Sequence, residues 1–316
     1  GSGVYKLVER QKDEMALKAG AGLEIQKILV HNMNKKREGV DQSLLTDKWE
    51  DIMNDDEIEI VIEVMGGIEP ARTMILEALH AGKNVVTANK DLVATHGHEL
   101  LEAAEESGVD FLLEAAVAGA IPIIRPLKQC LAANEIQEVI GIVNGTTNFI
   151  LTKMIEEGMD FDDALALATE LGYAEADPTA DVEGIDVANK LTILMALAFG
   201  QYIKPENIPT TGISKITAAD IEAAALKGCK IKLIAHAKMN GTSCSDCAEN
   251  GKLEYSVKPM LLPNDHPLAG VSNEFNAVFI TGNAVGELMF YGRGAGAMPT
   301  GSAVVGDVIE IAKSFK

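Results

Sequence analysis

Four things are scarce in this chain, and each scarcity excludes a class of protein. Cysteine occurs four times in 316 residues. That is too few for a disulfide scaffold and fits a reducing, cytoplasmic setting. Aromatic side chains make up 4% of the sequence, with a single Trp, so a core has to be built from Ala, Val, Leu and Ile. Basic residues are outnumbered, 27 Lys and Arg against 47 Asp and Glu, for a formal net charge of -20. That excess of acid argues against a nucleic-acid backbone and against an anionic membrane surface as partners. No apolar run reaches the ~18 residues expected of a membrane-spanning helix; residues 191–200 are among the longest. The opening residues carry no charged-then-apolar export pattern.

What is present is ordinary for a soluble globular protein: 47% apolar and 23% charged residues, over a length that suggests about two domains. The first half alternates helix and strand. A helical pattern runs from Val4 through Met15 to Ala19 and stops at Gly20 and Gly22. Residues 25–30 (IQKILV), 58–64 (IEIVIEV), 84–87 (NVVT) and 110–114 read as strands, with helices at 71–81 and 96–107 between them. Strands alternating with helices of this length indicate βαβ units and a Rossmann-like, doubly wound parallel sheet. After about residue 125 the rhythm changes to a strand, two helices, a polar loop at 172–183, a long helix at 184–199 and four strand-like runs between 230 and 291. The last segment, 299–315, is helical by pattern, with Thr300 or Ser302 able to cap it. The expected division is a dinucleotide-binding domain over 1–125, joined by a returning helix at 299–316, and an α+β substrate and dimerisation domain over 126–298.

A doubly wound domain opens with a strand, G-x-G-x-x-G and a helix. Here the helix is present without the strand. Gly1-Ser2-Gly3 reads as the tail of the glycine loop or as a tag residue. On the first reading the sheet lacks its central first strand, and restoring strand and loop is expected to strengthen dinucleotide binding.

Three blocks carry chemistry. Residues 172–190 (GYAEADPTADVEGIDVANK) place Glu175, Asp177, Asp181, Glu183 and Asp186 ahead of Lys190. An acidic loop capping a helix is one reading. The other starts from Asp186 and Lys190, which are spaced i,i+4 on one face at the mouth of an otherwise apolar helix. A charged pair there is costly without a task, and a carboxylate beside a lysine holds and tunes it for proton transfer. Residues 141–154 (GIVNGTTNFILTKM) run from a strand into a helix N-terminus, either a capped turn or an anion site for a carboxylate. Thr87-Ala88-Asn89-Lys90 and Gly66-Gly67 end parallel strands, where ligands of such folds bind.

Together with EVMGGIEPAR, AGKNVVTANK and FNAVFITGNAVGELMFYGRGAGAMPTGSAVVGD, these blocks resemble homoserine dehydrogenase over nearly the whole chain. The resemblance implies a nicotinamide dinucleotide and the interconversion of L-homoserine and L-aspartate-4-semialdehyde, in threonine, methionine and isoleucine biosynthesis. It implies Lys190 as general acid/base, Lys90 as its partner and Asp186 as the residue that positions Lys190. Glu175 and Asp181 would hold the substrate ammonium, with Gly145, Thr146 and Tyr173 about its other parts. The cofactor set it implies includes Gly1, Gly66, Gly67, Thr87 and Gly286. It also implies a monovalent cation, sodium, on the Glu114 carboxylate and the carbonyls of Val117, Gly119 and Ile121, oxygen donors suited to a hard ion.

NAD recognition wants an acid after the strand at 25–30. This chain has His31 and Asn32 there, followed by Lys35, Lys36 and Arg37. A basic, acid-poor loop suits a 2′-phosphate, so NADP is expected ahead of NAD; a solvated basic loop is the other reading. Cys244-x-x-Cys247 has no second pair and no nearby His, so no zinc site is expected. His96 and His98 point apart on their helix. A homodimer through the second domain is expected, because its strands need covering.

Two other functions compete. One is a catalytically silent fragment that keeps only the substrate and dimerisation domain. The other is a semialdehyde dehydrogenase, which requires a cysteine nucleophile that neither Cys130 nor Cys229 is well set to supply.

Overall fold

The computed structural model describes residues 1–241 and 252–315. The chain divides into two compact units, Gly1–Ala116 with Gly296–Lys316, and Val117–Ala295. The cut thus falls after residue 116 rather than after residue 125, and the return at 296 rather than 299.

The first unit opens with α1 (Ser2–Arg10) and α2 (Lys12–Ala19). The single helix expected over 4–19 is broken at Gln11, whose backbone leaves the helical region (φ -123°, ψ 24°). Val4, Leu7, Val8 and Met15 share one apolar cluster with Val304, Val305, Val308 and Ile311 of the returning helix, Ala297–Ala312. The two helices touch at glycines. A Cβ on Gly3 would lie 1.7 Å from the Ala297 carbonyl oxygen, and one on Gly301 would lie 2.8 Å from the Gly3 carbonyl carbon. The N-cap of the returning helix is Gly296, with no side-chain capping bond, so Thr300 and Ser302 fall inside the helix.

The strand expected over 25–30 shrinks to β1 (Ile28–Leu29). It pairs in parallel with β2 (Leu45–Thr46), a strand that no sequence pattern marked. After the one-turn α3 (Glu50–Met53), a second parallel sheet has the order β3 (Ile60–Glu63), β4 (Asn84–Thr87), β5 (Phe111–Leu112). Among the described residues the parallel strands therefore form two separate ladders. The βαβ rhythm holds, with α4 (Ala71–His80) and α5 (Lys90–Ser107) as crossovers. α5 starts at Lys90, six residues before the expected 96, because the Asn89 side chain accepts from the Leu92 N–H and caps it.

In the second unit, β6 (Ile136–Ile142) leads to α6 (Gly145–Glu157), α7 (Phe161–Glu170), the short α8 (Thr179–Val182) and α9 (Ile185–Phe199). α8 lies within the stretch read as a polar loop. α10 (Ala218–Leu226) carries a full capping box between Thr217 and Asp220. It precedes β7 (Cys229–Asn240), β8 (Lys252–Pro263), β9 (Phe275–Gly282) and β10 (Gly286–Arg293). These strands form one antiparallel sheet in the order β10-β9-β6-β7-β8. Ile142, Ile234, Leu268, Val271, Ala277 and Phe279 build one of its apolar cores. Leu261 on β8 and Met289 and Tyr291 on β10 remain exposed. No described helix is long and apolar enough to cross a membrane.

Candidate active site

Two of the three proton-transfer candidates, Asp186 and Lys190, assemble inside the second unit, at the point where β6 gives way to α6; Lys90 belongs to the first unit. Asn144 is the N-cap of α6; its Oδ1 accepts from the Thr147 N–H at 2.9 Å. Its Nδ2 donates to two carboxylates, Asp181 Oδ1 at 2.7 Å and Asp186 Oδ2 at 2.8 Å. Lys190 Nζ donates to the same Asp186 oxygen and to the Val143 carbonyl, both at 2.7 Å. Asp186 is 5% exposed, so this is a buried, hydrogen-bonded pair, the kind for which ionic partners outweigh desolvation only with good geometry. The i,i+4 spacing and the first-turn position of Asp186 on α9 produce the contact directly. Burial, with the Asp186 charge added, pushes the Asp181 carboxyl above the usual carboxylate range; the Asn144 bond and the Lys190 charge act the other way.

The substrate-binding candidates are only partly gathered. Thr146 Oγ1 donates to the Tyr173 carbonyl at 2.8 Å. Gly145 packs so closely on Glu274 that a Cβ would lie 2.8 Å from its carbonyl oxygen, which is why this first helical position has no side chain. Tyr173 stacks obliquely on Phe149 at 4.8 Å. Glu175 lies on the exposed stretch before α8. Asn276 is a buried residue that the sequence did not single out. It lies beside Gly145 and Gly294, and its Oδ1 has no hydrogen-bond partner among the described residues.

The turn at 117–121 has an unusual backbone. Ala118 and Gly119 are both left-handed (φ 54° and 55°), rare for a non-glycine residue. Among the described residues the Ala118 carbonyl accepts from Ile121 N–H, whereas the carbonyls of Val117, Gly119 and Ile121 accept no hydrogen bond. Glu114, in the first unit, is buried and its N–H donates to Asp307 Oδ2 at 2.8 Å. No three His, Cys, Asp or Glu side chains gather as a metal site among the described residues. Cys244 and Cys247 lie outside those residues. Cys130 is exposed on a single π-helical turn, and Cys229 is half-buried in β7.

In the first unit a cavity of about 350 Å³ is lined by residues 1–4, 64–66, 88–89 and 296–304. It brings Gly1, the N-cap of α1, and Gly296, the N-cap of the returning helix, together with Gly66 of the loop after β3, and helix N-termini favour anions. The rim at 296–304 was missed; its only sequence signal is Gly-x-Gly at 294–296. Gly67 contributes its carbonyl, which accepts from Asn89 Nδ2 at 2.7 Å. Thr87 is fully buried and its hydroxyl is engaged by Glu63, so it faces inward rather than toward a ligand. Gly286 belongs to the β9–β10 hairpin, paired with Gly282; its φ of 73° serves that turn, and it does not line the cavity. In the basic loop, Arg37 donates to the carbonyls of Asn32 and Lys35 and so shapes the loop, while Asn32, Lys35 and Lys36 are exposed. Lys90 opens α5.

Two sequence profiles match the chain: "Homoserine dehydrogenase, NAD binding domain" over residues 1–114 and "Homoserine dehydrogenase" over 122–309. A NAD-binding profile over the first unit followed by a dehydrogenase profile over the second is the plan of a nicotinamide-dependent oxidoreductase. The homoserine dehydrogenase of Bacillus subtilis is 46% identical over 317 residues, covering all of this chain and 71% of that protein. The crystal structure of a homoserine dehydrogenase from Thiobacillus denitrificans superposes with a TM-score of 0.93 at 45% identity, covering 100% of this chain and 71% of that one. A hyperthermophilic archaeal homoserine dehydrogenase in complex with NADPH is similar at a TM-score of 0.71 and 32% identity, over 85% of this chain and 76% of that one. The chain belongs to the homoserine dehydrogenase family, the oxidoreductases that interconvert L-homoserine and L-aspartate-4-semialdehyde. The matches run through both units, which disfavours the silent-fragment reading.

Proposed function

We propose that this chain carries out its reaction with NADP, and that Lys190 is the group that moves the proton. The observation that carries this reading is the lodging of Lys190 Nζ between Asp186 and the Val143 carbonyl, with Asn144 linking Asp186 to Asp181. The nicotinamide, when bound, supplies the hydride acceptor. Lys190, as the amine with a free lone pair at Nζ, takes the hydroxyl proton of homoserine, and as the ammonium it returns that proton in the reverse direction. Asp186 positions it, and Lys90 is the second lysine of the site. Asp181, with Glu175, holds the substrate ammonium; the cation restores to Asp181 the charge that burial disfavours. The amides of Gly145 and Thr146, near Tyr173, suit the substrate carboxylate. A monovalent cation, sodium, is proposed on Glu114 and the carbonyls of Val117, Gly119 and Ile121; the turn's unpaired carbonyls support it. The setting proposed is cytoplasmic. Homoserine-dependent reduction of NADP by the purified chain tests the reading, and its absence with both NADP and NAD would overturn it.

The preference for NADP rests on the basic loop. Replacing Lys35, Lys36 and Arg37 with neutral residues is expected to weaken NADP binding more than NAD binding, because charge-assisted bonds to the 2′-phosphate are lost. Equal losses for the two cofactors, measured by titration calorimetry, would reduce the run to a solvated loop.

A homodimer through the second unit is also proposed, supported by the apolar side chains left exposed on β8 and β10. Light scattering at micromolar concentration is expected to give twice the chain mass; a monomer contradicts it.

A further inference from the structure

Glu63 ends β3 and is 3% exposed, yet neither the proton-transfer centre nor the substrate site uses it. Its carboxylate accepts three hydrogen bonds. One oxygen takes the Met65 N–H at 2.6 Å and the Gly66 N–H at 3.2 Å. The other takes the Thr87 hydroxyl at 2.7 Å. The same Thr87 oxygen accepts from the Asn89 N–H at 3.0 Å, and Asn89 Nδ2 donates to the Gly67 carbonyl at 2.7 Å. The chain of bonds thus runs from the loop after β3 to the loop after β4 and back. Met65, Gly66 and Asn89 all line the cavity of the first unit. One buried carboxylate therefore ties together two of its rims.

The bonds also fix what one rim offers. Because the N–H groups of Met65 and Gly66 are turned onto Glu63, these two cavity-lining residues offer a ligand carbonyl acceptors rather than amide donors. Acceptors recognise hydroxyl and amide N–H groups. We propose that Glu63 is a positioning residue of the dinucleotide site, holding the 64–67 loop with its acceptors available to donor groups common to both cofactors, the ribose hydroxyls and the carboxamide. The proposal rests on the reading of this unit as the NAD(P)-binding one.

Glu63→Gln keeps the size but presents N–H where an acceptor is required, so at least one buried donor loses its partner. The expected result is a rise of about tenfold in Kd and KM for NADPH and for NADH alike, the change that one such bond carries. KM for homoserine should stay within about twofold, as expected when only cofactor-side binding is lost. Thr87→Val is expected to repeat the effect, and Thr87→Ser, which keeps the hydroxyl, to reverse it. Trp49, whose Nε1 donates to Glu77 within the same unit, reports by its fluorescence that the unit remains folded. Unchanged NADPH affinity in Glu63→Gln would overturn the proposal. So would parallel loss of homoserine and cofactor binding with a shifted Trp49 signal, or a Thr87→Ser variant as impaired as Thr87→Val. A wild-type chain that binds neither NADPH nor NADH would instead remove the reading of the unit, and the proposal with it.

Discussion

Replacing Lys190 with alanine is expected to lower kcat by about 10²-fold or more, the range for losing a general acid or base, with a smaller change in the KM for homoserine. The expectation follows from the geometry of one corner. Two N–H groups of Nζ are committed, to Asp186 Oδ2 and to the Val143 carbonyl, which leaves one position, the lone pair of the amine or the third proton of the ammonium, for exchange with a substrate. Asp186→Asn tests the arrangement from the other side. It keeps the side-chain size and leaves Lys190 in place, but removes the charge that holds it. Its kcat should fall as well, by less than that of Lys190→Ala, with an altered pH-rate profile. A Lys190→Ala variant that keeps kcat within about threefold, against the 10²-fold scale of acid-base catalysis, would end the assignment.

Gly119→Ala is expected to destabilise the second unit strongly. Two costs add. A left-handed φ of 55° is strained for alanine, by about 1 kcal/mol. The new Cβ would also lie 2.2 Å from the Gly294 carbonyl oxygen, and pressing a methyl into packed surroundings costs about 1–3 kcal/mol more. A total of about 2–4 kcal/mol lowers Tm by on the order of 10 °C in a unit of this size. Gly158→Ala separates the two costs. Gly158 is also left-handed, at 67°, but a Cβ there meets nothing within 4 Å, so only the first cost of about 1 kcal/mol remains. Calorimetry of both variants decides it: equal losses would mean that the 117–121 turn yields freely and is not held against Gly294. The same turn carries the proposed cation carbonyls, so Gly119→Ala should also abolish any dependence of activity on sodium.

The reach of the sequence can be judged residue by residue. Asp186 and Lys190 were legible because they stand four apart on one helix, and helical geometry alone brings them together. The capped turn after β6 was legible for the same local reason, an Asn at the end of a strand ahead of a helix. What Asn144 does beyond capping was not. Its Nδ2 reaches residues 181 and 186, and no spacing in the sequence encodes a bond across 37 or 42 positions. Glu63 lay within the strand expected over 58–64 and was not singled out; only the approach of Thr87 from the neighbouring strand made it a junction.

By itself, then, the sequence determined the alternation of strands and helices, the change of rhythm between two units, the α9 lysine-carboxylate pair and the family. Each of these rests on local periodicity or on contiguous motifs. The tertiary structure alone decided that the parallel strands form two ladders rather than one and that helix α5 begins at its Asn89 cap. It also turned Thr87 inward, gave Gly286 to a hairpin, and brought residues 296–304 to the rim that holds Gly1 and Gly66. These are contacts between segments far apart in the chain, set by how packed elements share space, and pair spacing along a sequence carries no record of them.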